Sequence, residues 1–112
     1  MAGYVTIAPI SDFLTGRGEL REGKIRRYFL EGQEIGVSYW KGRFHAFSNL
    51  CPHNQFQFHF SVVDEDKVWC PIHYGIFDLE TGARLGGPTN ICDLPIYHVR
   101  VAGDHIEVSL TE

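Results

Sequence analysis

Apolar and polar residues alternate in short runs along this chain, and turn-forming residues interrupt the runs at close intervals. Residues 4–8 alternate and predict a first strand, and residues 10–14 predict a short turn or helical step. Residues 25–30 and 34–39 are strand-like, with Glu31-Gly32-Gln33 between them as a hairpin turn. Trp40-Lys41-Gly42-Arg43 turns the chain into a strand over 43–48. Further on, strands over 58–63 and 67–69 flank a turn at Asp64-Glu65-Asp66, and a strand at 76–78 enters the turn Glu80-Thr81-Gly82. Residues 97–102 and 105–110 close the pattern around Gly103-Asp104. No helix longer than two turns is expected. The natural parse is a scaffold sheet drawn from both termini, with an inserted lobe at about 49–88.

Composition agrees with a turn-rich all-β protein: 12 glycines and 8 phenylalanines stand against one methionine. A chain of 112 residues, 44% apolar, is expected to be a single domain over 1–112 with a modest core. The amino-terminal segment has no basic region followed by an apolar core. No run approaches the roughly 18 apolar residues of a membrane span. A soluble, cytoplasmic monomer is the expectation. Charge is uneven: residues 1–50 hold seven Lys/Arg and five Asp/Glu, whereas 51–112 hold three and nine. The acidic half is either a solvated surface or a docking face for a basic partner. No basic stripe of the kind that binds nucleic acid is present.

The chemistry concentrates in two short motifs. Cys51-Pro52-His53 and Cys70-Pro71-Ile72-His73 are separated by the sixteen residues from Asn54 to Trp69. Thiolate and imidazole bind iron and zinc well. Two Cys/His pairs, each in a loop-like stretch, suggest two fingers closing on one metal centre. A zinc finger usually takes both cysteines from one element and both histidines from another, so a structural zinc module is disfavoured. One soft and one borderline ligand per finger suits a diiron cluster with both cysteines on one iron and both histidines on the other.

These motifs, together with Phe77-Asp78-Leu79-Glu80-Thr81-Gly82 and Gly86-Gly87-Pro88 after them, resemble the Rieske [2Fe–2S] proteins, and the resemblance runs over essentially the whole chain. It implies an antiparallel β-sandwich or barrel with an inserted two-finger lobe. It also implies one [2Fe–2S] cluster held by Cys51, His53, Cys70 and His73. In such a centre the charges of two ferric ions, two sulfides and two thiolates cancel. Four thiolates would leave it negative and harder to reduce. High-potential members place hydroxyls where this chain has Gly75 and Phe77, and a finger-bracing disulfide where it has Phe56 and Ile72. Both differences resemble the low-potential ferredoxins of bacterial ring-hydroxylating dioxygenases. The glycine usual after the first histidine is Gln55 here, which leaves the shape of the first finger open.

The function so implied is electron carriage, without catalysis, from an NAD(P)H-dependent ferredoxin reductase to a terminal aromatic ring-hydroxylating oxygenase. The alternative is the small Rieske-like subunit of a nitrite reductase. Docking is expected at the finger tips, using Pro52, Asn54, Gln55, Ile72, Tyr74 and Gly75, with Pro88 beside them. Phe58 reads as core, Phe56 and Phe60 as core in preference to a cover over the cluster or a partner-facing patch, Trp69 as packing, and Cys92 as a small buried apolar residue. His45, His59, His98 and His105 read as strand or surface residues.

Overall fold

The computed structural model describes residues 3–52, 55–72, 75–86 and 92–110. Ten strands appear among them in chain order: β1 (Val5–Pro9), β2 (Ile25–Leu30), β3 (Gln33–Trp40), β4 (Arg43–Ser48), β5 (Val63–Asp64), β6 (Lys67–Cys70), β7 (Gly75–Asp78), β8 (Arg84–Gly86), β9 (Ile96–Ala102) and β10 (His105–Ser109). A six-stranded antiparallel sheet runs β1-β10-β9-β4-β3-β2, and its two edges approach each other, so it curls toward a barrel. The four strands β5-β6-β7-β8 form a separate meander. The scaffold therefore does come from both ends of the chain, with the lobe inserted between β4 and β9. Among the described residues the only helical segments are 3-10 turns at Ile10–Phe13 and Phe58–Phe60.

Turn chemistry sets the hairpins. The pairs Leu30↔Gln33, Trp40↔Arg43 and Asp64↔Lys67 leave two residues in each loop. All six loop residues take positive φ: Glu31 and Gly32, Lys41 and Gly42, Glu65 and Asp66. That geometry matches the right-handed twist of the flanking strands. Gly82 has a different reason to be glycine. Its φ is 77°, and a Cβ there would collide with the Leu94 carbonyl oxygen. The Leu94 amide donates to the Gly82 carbonyl at 2.8 Å, so the turn at Gly82 packs against the segment leading into β9.

Alternation along the strands feeds two cores. Val37 and Ala46 face the barrel interior with Phe13, Leu30, Ile35, Ile106 and Val108. Phe47 points the other way and joins Ile25 against the lobe residues Phe58, Val63, Val68, Phe77 and Leu79. Burying each large side chain contributes about 1.5–3 kcal/mol. Polar ties hold lobe to scaffold around the rim. The Val63 amide donates to the Gly23 carbonyl at 2.8 Å, the Trp40 indole to Asp66 Oδ1 at 2.7 Å, and Arg43 pairs with Glu80 at 2.9 Å.

Two departures from the sequence reading concern the lobe. Residues 58–63 are not one strand: Phe58–Phe60 is a 3-10 turn and only Val63–Asp64 is β. β8 (Arg84–Gly86), which pairs with β7, has no counterpart in the predicted pattern.

Candidate metal centre

Each finger grows from a short antiparallel ladder. The first rises from β4. The Phe58 amide donates to the Asn49 carbonyl at 2.7 Å, Leu50 bridges Gln57, and the Cys51 amide donates to the Phe56 carbonyl at 2.9 Å. A tight turn then closes it, with the Gln55 amide donating to the Cys51 carbonyl at 2.8 Å. Gln55 sits at φ 60°, in the left-handed region that favours glycine. The finger keeps a glycine-type backbone although the residue is not glycine.

The second finger rises from the β6–β7 hairpin, where Cys70 lies opposite Gly75. A Cβ on Gly75 would stand 3.3 Å from Cys70 Cβ and 3.6 Å from Phe77 Cε2. Gly75 thus lies between the Cys70 side chain and the Phe77 ring, with no room for a side chain of its own. The Cys70 thiol lies 3.7 Å from the Ile72 carbonyl oxygen.

Cys51 and Cys70 form no disulfide, are 1% and 2% exposed, and both belong to the apolar core shared by lobe and scaffold. Phe58 is wholly buried in the same core, edge-on to Phe47, Phe56 and Phe77 at centroid distances of 6.1–6.3 Å. His53, Asn54, His73, Tyr74 and Pro88 lie outside the described residues. Among the described residues no cluster of three or more His, Cys, Asp or Glu side chains forms. The two cysteines fit the inner half of a Cys₂His₂ diiron centre. They come from separate fingers, and they are enclosed by apolar side chains that tolerate a neutral centre far better than a charged one.

The remaining site expectations divide. Pro52, Gln55 and Ile72 are exposed, as a docking tip requires. Gly75 is buried beneath Cys70 and cannot face a partner, because its strand pairing places it inside the ladder. Phe56 is partly buried against the core, but Phe60 is 73% exposed, since the 3-10 turn rotates it outward. Cys92 is exposed, not buried. Trp69 is partly buried, and its indole donates to the Asp64 carbonyl at 2.9 Å, which braces the β5–β6 turn.

One residue of this region escaped the sequence reading. Asn49 is fully buried. Its Nδ2 donates to Glu34 Oε1 at 3.1 Å and lies 3.0 Å from His59 Nδ1, while its Oδ1 accepts the His59 amide at 2.9 Å. The only sequence signal is a polar residue closing the apolar strand that leads into Cys51. Burial is the first cause holding the His59 pKa below its ordinary value, with the nearby Arg27 adding to it.

The model of the Rieske [2Fe-2S] domain matches residues 13–98. The chain is 28% identical over 93 residues to the ferredoxin component of a naphthalene 1,2-dioxygenase system from Pseudomonas aeruginosa, covering 83% of this chain and 88% of that protein. It is 27% identical over 104 residues to the ferredoxin component of an alkene monooxygenase system from Xanthobacter autotrophicus, covering 92% and 78%. The solved ferredoxin of carbazole 1,9a-dioxygenase from Nocardioides aromaticivorans IC177 superposes with a TM-score of 0.76 at 28% identity, covering 94% of this chain and 95% of that one. A family match spanning both fingers and most of the scaffold, on a fold that seats both cysteines in one core, makes this chain a member of the Rieske [2Fe-2S] domain family.

Proposed function

We propose that this protein is the ferredoxin of a multicomponent oxygenase system, passing single electrons from a reductase to a terminal oxygenase. The observation that carries the reading is the pair of buried cysteines, one from each finger, in a single apolar core. In this reading Cys51 and Cys70 hold one iron and His53 and His73 the other. The bound [2Fe–2S] cluster supplies a one-electron redox couple. The protein keeps the thiolate side dry and leaves the finger tips as the path to a partner. Likeness to oxygenase-system ferredoxins supports a carrier over a nitrite reductase subunit. The relatives serve aromatic and alkene oxygenases alike, and the low-potential features Gly75 and Phe77 favour the aromatic ring-hydroxylating class.

Iron and sulfide analysis of anaerobically purified protein tests the cofactor: two of each per chain are expected, with a reduced-state EPR signal averaging g of about 1.9. Stoichiometric zinc without iron would refute it. Docking is tested with Ile72→Asp, which places a charge on an exposed apolar tip residue. Reductase-driven oxygenase turnover at subsaturating ferredoxin should slow while the cluster spectrum is unchanged. Equal rates would move the docking face away from the second finger.

A further inference from the structure

Asn49 belongs to neither finger tip nor ligand set, yet it makes more polar contacts than its neighbours in the lobe core. Its main chain bonds in both directions: the amide donates to the Glu34 carbonyl at 3.0 Å and the carbonyl accepts the Phe58 amide at 2.7 Å. Its side chain repeats the pattern, with Nδ2 on Glu34 Oε1 and Oδ1 on the His59 amide. One residue therefore fastens the outgoing arm of the first finger, residues 49–51, to the returning arm at 58–59. It fastens both to β3 of the scaffold. Cys51 stands two residues beyond this junction.

The amide orientation follows from its partners. A backbone N–H can only donate, so Oδ1 must face His59 N, and the Glu34 carboxylate requires Nδ2 opposite it. His59 Nδ1 then faces a donor and must accept, which places the ring proton on Nε2. We propose that Asn49 is the positioning residue of the first finger, its buried amide fixing where Cys51 presents its sulfur to the cluster.

This inference rests on the reading of Cys51 as a cluster ligand, and its test separates the two. Iron and sulfide content of the wild type decides the ligand reading. The latch itself is read in Asn49→Leu, which keeps the γ-branched shape and removes three polar contacts. Hydrogen exchange at the Phe58 and His59 amides should accelerate by about tenfold or more. Cluster loss to a chelator should accelerate similarly, and the reduced-state g values should shift. Val108→Ala, in the barrel core away from the lobe, is the control for general destabilisation. It should lower Tm and leave the g values unchanged.

Asn49→Asp gives a second signature. It retains the acceptor for His59 N but turns a carboxylate oxygen toward Glu34 and toward His59 Nδ1. A protonated His59 donates to one of those oxygens, and a proton shared between the two facing carboxylates bridges the other, so acidification should improve cluster retention in the variant relative to the wild type at the same pH. The charged groups around His59 are Arg27, Lys24 and Glu34, all intact in the variant. Wild-type g values, cluster lifetime and amide exchange in Asn49→Leu would overturn the proposal, as would the same g shift in Val108→Ala or an unaltered pH profile in Asn49→Asp.

Discussion

Gln55 shows what a single residue does in the first finger. Its φ of 60° is a conformation that costs an L-residue about 1 kcal/mol or more relative to glycine. The tight turn from Cys51 enforces it through the 2.8 Å bond from the Gln55 amide. Gln55→Gly is therefore expected to preserve the finger and stabilise the holoprotein by up to about 1 kcal/mol. The gain is trimmed by the greater freedom of glycine in the unfolded chain. Thermal denaturation checks this, and a loss of stability would mean that the glutamine side chain contributes a contact of its own. Phe77 is the second case. It is wholly buried, in the same apolar core as Cys51 and Cys70. A hydroxyl added by Phe77→Tyr that reaches a ligand sulfur would donate a hydrogen bond to it and favour the reduced state. One hydrogen bond of about 1 kcal/mol corresponds to roughly 40 mV for a one-electron couple. The wild-type potential is expected near or below about −100 mV, with the tyrosine variant higher. Protein-film voltammetry of both proteins measures the difference, and a wild-type value of about +200 mV would contradict the assignment.

At the level of elements, the sequence was most legible where the structure is local. Strands 25–30 and 43–48 were expected at the bounds observed, because alternation and a two-residue turn carry that information within a few residues. The cysteine loops were legible for a different reason: ligand types at that spacing have few other uses. The failures are non-local. Residues 58–63 alternate like a strand, yet Asn49 captures the Phe58 and His59 amides from another part of the chain and bends the segment into a 3-10 turn. That bend also puts Phe60 outside. β8 is only three residues long and owes its existence to pairing with β7. β4 carries the pH consequence. His45 is 7% exposed, and burial holds its pKa below the ordinary 6.5. The unfolded chain takes up a proton as pH falls through about 6.5, while the folded form resists until lower pH. Stability is then full above that value and declines below it, by up to about 1.4 kcal/mol per pH unit for one histidine. Comparing Tm at about pH 7.5 and about pH 5.5 should show a smaller drop for His45→Gln than for the wild type. An equal drop would place the acid sensitivity elsewhere.

The whole molecule is two cores sharing one sheet. The barrel core needs nothing from the fingers, whereas the lobe core contains both cysteines. Cys51→Ala should therefore abolish cluster retention and loosen the lobe while the six-stranded sheet persists. Limited proteolysis should cut first within about 49–78. Equal protection of both fingers without the cluster would show that the lobe stands alone. Sheet order has a consequence of its own for how the protein is made. Among the described residues β1 pairs only with β10, so Val5 must wait for Val108. During synthesis the first strand leaves the ribosome early and has no sheet partner until residues 105–109 emerge, seconds later at ordinary elongation rates of about 5–20 residues per second. The β5–β8 meander is complete once residue 86 has appeared, and Ile25 and Phe47, which cover its core, are already out. The metal-binding half can thus take shape on the nascent chain while the barrel is still open.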